Sequence, residues 1–573
     1  MAQGSLRDSI ATRWRVYRAR GPRGTRAFVW HPQPRDAGLP RRGGQIRQGI
    51  WHLAGQVLEA PLQDPWTLTP PSTPFEMQLH GFGWLDDLMS LGDREAADLA
   101  RQWVLSWLRQ FGRGKGPGWS AALTGRRLLR FICHAPILLG PMARQDQALL
   151  FDAFYRQTAY LRRTHGDAPA GLPQMEALTA LVYAGLTLEG WDGLSLDAAD
   201  AMAAGLAEDI SYEGGIASRN PEALLEIASL LDWAVQALGG AGQDVPQGLT
   251  TAQTRMIPTL RSLRHADGSL ARFHGGGPGA SGRLDRVLTS SGSKTRNENY
   301  LVMGYISLRH GRTSLIVDAA QPPTGRVSGS AHASTLAFEM TSGPCPLIVN
   351  CGPGGAYGAD WHRAGRATPS HSTLTLDGRS SSQIGPLIQE SGRRIAPLVD
   401  IPKKVQWQRS SSQAATTVFM AHDGFVPAYG LAHLRRLVLS NDGRKLEGEE
   451  SLRAVSTADK AVFDTAQTDK ALQGVPYHLR FHLHPDAQAQ VDMGGRAVSI
   501  LLPSGEVWIF RPGRQIEMRI EASVYLEAGR LKPRPSQQLV LSDRIVTYAA
   551  TITWTLVRAQ EATELPPTPA ERV

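Results

Sequence analysis

The side chains best equipped for chemistry crowd into residues 326–383. The stretch reads RVSGSAHASTLAFEM, then LIVNCGPGGAYGADWHRAGRATPSHSTLTLDGRSSSQ. Within it, Tyr357, His362, Arg363 and Arg366 share one polar loop. Guanidinium groups there suit a carboxylate, which they can grip with two parallel N–H donors. The His362 imidazole suits proton transfer. Farther on, His482 and His484 in RFHLHPD share a strand face by period two, and read as a pair packed inside a sandwich. Competing chemistries are missing. HGGGPGASG (274–282) has glycines but no lysine followed by serine or threonine, so it is not a phosphate loop. There is no GxSxG elbow, no HExxH and no CxxC.

Two kinds of element must position these residues. Before about residue 280 the apolar spacing is helical. Residues 94–111 put Ala97, Leu99, Trp103, Trp107 and Leu108 near one face. Further helical stretches cover 119–139, 143–163, 173–190, 196–210, 221–238 and 248–264. Several begin at proline or a polar cap and some end in glycine. Consecutive helices with short connections predict stacked hairpins, as a solenoid or a closed α/α toroid. HGGGPGASG reads as a linker. Beyond it the period becomes two, with strands expected at 300–309, 313–319, 334–340, 346–350, 372–378, 416–424, 433–440, 477–484, 497–503, 506–512 and 547–557. So many antiparallel strands predict a large β-sandwich. The expected organisation is a basic arm and lead-in (1–74), an α/α toroid (75–275), a linker (276–290), an antiparallel β-sandwich (291–558) and a disordered tail (559–573).

Parts of this sequence resemble a known family. SAHASTLAFEM, LIVNCG and RATPSHSTLTLDG match, in order, H-x-H-x-D-x-L-S-F-E-L, L-x-V-D-x-G and R-x-T-x-x-H-N-T-x-x-V-D-G of the heparinase II/III-like polysaccharide lyases. LTGRRLLRFICHAPILL, GGIASRNPEALLE, AHDGF and YHLRFHLHPD are similar to further stretches, so the resemblance runs from about residue 75 to 558. It implies an α/α toroid joined to a C-terminal β-sandwich, and β-elimination on an acidic, uronate-containing polysaccharide. It also implies a structural zinc held by His332, Asn350 and His371. Each of these lies on or beside a different strand, and imidazole nitrogens suit zinc. Asn350 stands where the family has aspartate, and a neutral amide oxygen is the weaker ligand.

β-Elimination needs the uronate carboxylate neutralised, a base for the C5 proton and an acid for the departing oxygen. The family's tyrosine aligns with Ala223, which cannot move a proton. The first histidine of its H-x-H becomes Ser330, a poor base unless activated. Catalysis then falls to Glu176, Tyr212, His362 and His371. Substrate binding falls to Gln174, Arg219, Asn220, Tyr357, Arg363 and Arg366. A rival reading keeps the fold without the reaction: a polysaccharide-binding or envelope-assembly protein that has lost its acid and base.

Composition bounds these readings. The chain has 573 residues, 42% hydrophobic and 20% charged, with a net charge of +9. Those values exclude a disordered or collagen-like chain. No run of 18 apolar residues predicts a membrane span. Cys345 and Cys351 bracket one strand of roughly 20 Å, beyond disulfide reach. Eleven arginines and two aspartates fall within residues 1–50, so that arm carries the net positive charge. An acidic polysaccharide or anionic lipid suits it. It lacks the aromatic interleaving expected for nucleic acid, so no specific nucleic acid is expected. No secretory signal follows the arginines, whereas the resemblance implies the periplasm or cell envelope.

Overall fold

The computed structural model describes residues 11–560, apart from 20, 23–25, 32–37, 62, 293–294, 296, 298, 391–392, 471 and 528–529. The chain divides into two compact units. A helical unit comprises Met1–Gly214, Ala223–Ile257 and Ser281–Ser293. A β unit comprises Gly215–Glu222, Pro258–Ala280 and Lys294–Val573.

The helices fall close to where the spacing put them. In the helical unit they include Gly83–Met89 (α1), Arg94–Phe111, Ala121–Cys133 (α2), Arg144–Thr164, Leu172–Thr187 (α3), Leu194–Asp209 and Pro221–Gly240 (α4). Asp93 and Ser120 cap Arg94–Phe111 and α2 by accepting from the Ala96 and Leu123 N–H groups. The buried face of Arg94–Phe111 is Ala96, Ala100, Trp103, Val104, Trp107 and Leu108. Ala97 and Leu99 therefore sit at its margin, because tryptophans at 103 and 107 set the centre of the stripe. The helix α4 is long and apolar enough to cross a membrane, but 61% of its apolar window is buried in the protein, as in a core helix.

Two expectations about connecting segments are corrected. Residues 276–290 are not a free linker, since Arg283–Ser290 forms a helix, α5. The glycines before it allow close packing: a Cβ on Gly276 would lie 2.4 Å from Asn220 Oδ1. The basic lead-in is likewise built into the helical unit. Residues 11–18 are helical, with Val16 buried. Arg26 and Arg47 reach Asp152 and Asp93 at 2.6 and 2.7 Å. Exposed Trp14 and Tyr17 do interleave with these arginines, and the Arg18 guanidinium lies 4.2 Å from the Trp14 ring centre. The expected tail from 561 onward lies outside the described residues.

The β unit is a sandwich of two antiparallel sheets. One contains Tyr305–His310 (β1), Thr313–Asp318 (β2), Phe338–Ser342 (β3), Cys345–Val349 (β4) and Val475–Leu483 (β5). Arg534–Ile545 and Glu517–Tyr525 extend it beyond β5. The other runs from Val405–Ser411 through Ala549–Gln560 to Gln488–Asp492. Between them Phe338 stacks on Trp554 with ring centres 6.0 Å apart, and Phe481 meets the same indole edge-on at 4.8 Å. The single strand expected at 300–309 is a hairpin. Met303 and Gly304 turn at φ of 50° and 82°, and Leu301–Val302 folds back on β1.

Candidate functional site

The polar residues of the 326–383 stretch converge on one buried cluster in the β unit. Its anchor is Asp318, at the end of β2. Asp318 Oδ1 accepts from Arg219 Nη2 at 2.5 Å and Oδ2 from Ser334 Oγ at 2.7 Å. Burial alone would raise this carboxyl. The Arg219 guanidinium, aided by His274 and Ser334, instead holds it well below the usual carboxylate range.

Arg219, expected to bind substrate, has no donor left for one. Its five N–H groups go to the carbonyls of Met303, Gly304, Ala320 and Gln321 and to Asp318. The close approach requires Gly304, where a Cβ would lie 2.4 Å from Arg219 Nε. Beneath the guanidinium, the Tyr305 hydroxyl donates to the Arg219 carbonyl, and burial raises that phenol well above its usual range.

The histidines form a relay whose proton positions the backbone sets. His371 Nδ1 donates to the Ala367 carbonyl at 2.9 Å, so its Nε2 is an acceptor. His332 Nδ1 donates to that Nε2 at 3.0 Å. The proton-free Nε2 of His332 is then buried without a hydrogen-bond partner. The His332 N–H donates to His274 Nδ1 at 3.0 Å, which puts the His274 proton on Nε2, 3.4 Å from Asp318. Burial pulls all three imidazoles down: His371 to about 4, His274 below its usual value, and His332 further still with help from His371. His274 and Asp318 escape the sequence reading. His274 was concealed in the supposed linker, where RFHGGG carried the only signal.

The residues expected to hold zinc, His332, Asn350 and His371, are each engaged with protein partners. Two imidazole nitrogens 3.0 Å apart are near the ~3.3 Å that a tetrahedral ion with ~2.0 Å bonds requires. At that distance the two nitrogens are also placed to share a hydrogen bond. Asn350 Oδ1 accepts from Ser372 N at 3.0 Å, and Nδ2 donates to Glu339 at 3.3 Å. Among the described residues no three His, Cys, Asp or Glu side chains gather as metal ligands.

Arg366, expected to bind substrate, spends two of its donors as a fastener. It donates to the Ala331 and Ser328 carbonyls at 2.7 and 2.8 Å, holding the loop that carries Ser330 and His332. Burial, with Arg363 nearby, pushes it down to about 10. Ser330 Oγ makes one long contact, 3.4 Å to the Val327 carbonyl. Asn220 lies against Gly275 and Gly276, and a Cβ on Gly275 would meet both Ser330 and Asn220. On the helix Ala359–Arg366 (α6), His362 is half-buried and lowered by burial and by Arg366, while Arg363 is exposed. The Tyr357 hydroxyl donates to the Glu527 carbonyl. His482 Nε2 donates to Pro369 O at 2.8 Å, confirming a packed residue.

The remaining expected residues belong to the helical unit. Glu176 on α3 is bound, not poised as a base: Arg126 Nε and Nη2 hold its oxygens at 2.8–3.0 Å, with Arg130 at 3.6 Å. Arg130 and His134 also reach Asp86 of α1, both at 2.8 Å. The spacing of GRRLLRFICH concealed this network, because each arginine read equally well as surface. Gln174 is half-buried, and Tyr212 is 87% exposed with Arg255 beside its ring.

Known proteins share this chain's sequence or fold. Residues 293–555 match the family described as heparinase II/III-like, C-terminal. FtsZ-localized protein C of Caulobacter vibrioides (strain NA1000 / CB15N) is 31% identical over 547 residues, covering 94% of this chain and 91% of that one. The fold is also that of Heparinase III, with a TM-score of 0.66 and 11% identity over 91% of this chain and 85% of that one. A mutant of the heparan sulfate lyase HepC from Pedobacter heparinus gives 0.55 and 14%, covering 97% and 88%. The helical unit is thus an α/α toroid of the lyase type and the β unit its sandwich partner; with both the matched segment and a full-length relative in hand, the chain belongs to the heparinase II/III-like family.

Proposed function

We propose that this chain is a heparinase-fold protein that has given up β-elimination. On this reading it acts at the cell envelope in company with FtsZ and holds an acidic polysaccharide without cleaving it. The observation that carries the reading is the state of the proton-transfer positions. Ala223 and Ser330 stand where the family places its tyrosine and histidine, and Ser330 Oγ has only a long carbonyl contact. The nearby imidazoles are locked to one another and to a carbonyl. Glu176 is bound by guanidinium groups, and Arg219 has spent its donors. The relative named for its localisation with FtsZ spans nearly the whole chain, which supports the same reading.

The test has two arms. Purified protein is incubated with heparin, heparan sulfate, chondroitin, alginate and crude envelope glycan, and ultraviolet absorbance of unsaturated uronate is followed. A fluorescent fusion is imaged with labelled FtsZ in the native host. No absorbance change, retention on an acidic-glycan column and coincidence with FtsZ are expected. Turnover on any polymer would sink the non-catalytic reading; a fusion distributed independently of FtsZ would sink the partnership.

A second reading has one observation behind it. Among the described residues His332 Nε2 has no hydrogen-bond partner, but it is buried and held well below its usual range, so it serves as a base only where substrate binding uncovers it. If turnover occurs, His332→Ala abolishing it while leaving glycan retention intact would assign that role.

A further inference from the structure

The helical unit holds a cavity of about 690 Å³ lined by α4 and α5. It is remote from the start of α4, where the family places its tyrosine. Asp232 lies nine residues beyond Ala223, roughly 14 Å along the helix at 1.5 Å per residue. Volumes of this order accommodate small organic ligands.

The lining combines an aromatic wall with a buried acid. Asp232, Trp233 and Gln236 come from α4, with Ser229 one turn earlier; Arg286 and Val287 face them from α5. Asp232 is 6% exposed, and among the described residues no cation pairs with it. Its Oδ2 accepts from Gln236 Nε2 at 2.7 Å. Among the described residues no hydrogen bond occupies Oδ1, and that oxygen is not sealed from the cavity. Ser229 Oγ donates to the Leu225 carbonyl at 2.7 Å, so its lone pairs remain as acceptors. Burying a carboxylate without a cation is costly unless hydroxyl or amide donors solvate it. On the opposite wall Arg283 and Arg286 stand with Asp285, and Arg283 pairs with Glu226, so with Asp232 the lining carries no net charge to draw in an ion of either sign. The lining therefore fits a ligand with several hydroxyl donors, one apolar face and no charge of its own.

We infer that this cavity binds one uncharged pyranose ring of a glycan. The ring's C–H face packs on Trp233. Two of its hydroxyls donate to Asp232 Oδ1 and Ser229 Oγ, and a third accepts from the second N–H of Gln236. The site is separate from the cluster around Asp318, and the inference does not depend on whether the family's reaction survives.

The test titrates the full chain calorimetrically with two uncharged probes, chitotetraose and maltotetraose. Binding of at least one in the submillimolar range is expected. Trp233→Ala should weaken it about tenfold, a typical effect for one stacking platform. Asp232→Asn, nearly isosteric, should weaken it several-fold while melting with the wild type. Two results overturn the inference: neither probe binds at several millimolar, or an Asp232→Asn protein that melts normally binds as tightly as wild type. Loss of acidic-glycan retention has no bearing on these readings, so the two proposals fail separately.

Discussion

Arg219→Met separates a structural guanidinium from a substrate clamp. The change keeps side-chain length and removes five donors that serve four carbonyls and Asp318. Removing one partner of a buried ion pair costs about 3–5 kcal/mol, because the remaining charge is stranded. Each buried carbonyl left without a donor adds about 1 kcal/mol or more. The total exceeds 5 kcal/mol, comparable with the lower range of a whole domain's stability. In urea, at about 3 kcal/mol per molar, the sandwich transition should fall by more than 1 M. The effect also has a pH signature. In the wild type the Asp318 carboxyl is held below its unfolded value, so its contribution is present above pH ~4 and lost only in stronger acid. In the variant, burial without the guanidinium raises that carboxyl above its unfolded value. The variant then loses stability as pH rises from ~4 through the raised value. The gap between the two proteins should narrow from pH 7 to pH 5. Urea midpoints of both, read by circular dichroism at the two pH values, decide the matter. A shift below about 1 kcal/mol, or a gap that ignores pH, would refute the buried-pair account and return Arg219 to the candidate substrate contacts.

Three further outcomes are expected. Burial holds His371 and His482 at about 4. The unfolded chain therefore binds more protons between pH 6.5 and 4, and stability complete above 6.5 falls through that window by about 3 kcal/mol per imidazole; melting temperatures that stay flat from pH 7 to 4.5 would contradict this. Gly304→Ala combines a φ of 82° with a Cβ 2.4 Å from Arg219 Nε. It should cost well over the ~1 kcal/mol that left-handed strain alone exacts at Gly494, where nothing lies within 4 Å; equal melting points for the two alanine variants would count against the packing argument. Zinc and chelator should each move the melting temperature by less than about 1 °C, since ion binding to the folded state raises it measurably. A zinc-dependent rise of several degrees would restore the metal site.

Much of this architecture was legible because apolar periodicity is a strong signal. RQWVLSWLRQ folds as a helix at the expected bounds and LTALVYAGL as one within three residues of them. Strands with polar outer faces escaped notice. Lys445–Arg453, KLEGEESLR, is central in its sheet, yet its charged residues mask the alternation. Glu517–Tyr525 alternates visibly in EMRIEASVY and was recoverable by the same rule. At the site, His332 and His371 do come together, because Ala333 N donates to the Arg366 carbonyl and Arg366 Nε to the Ala331 carbonyl, which ties their two loops to one another. Roles were harder to read than positions. An arginine that clamps a ligand and one that ties down carbonyls look alike in sequence, and only the fully satisfied donors of Arg219 tell them apart. Glu176 failed for the same reason, since its guanidinium partners lie 46 and 50 residues away.

The division of the β unit among three chain segments has a consequence for synthesis. Arg219 is made 99 residues before the carboxylate it must meet. At roughly 5–20 residues per second the ribosome needs about 5–20 s to supply Asp318. Until Met303 is made, 84 residues on, the guanidinium has none of its native acceptors. The segment around it cannot join its unit until Pro258–Ala280 and the first strands arrive, although α4 can already join the helical unit. No single cut in the chain yields two intact units, so proteolysis or gene fission that removes one must injure the other. Inheritance of the two halves is thereby tied together, and neither the sandwich nor the toroid can be shed without the other.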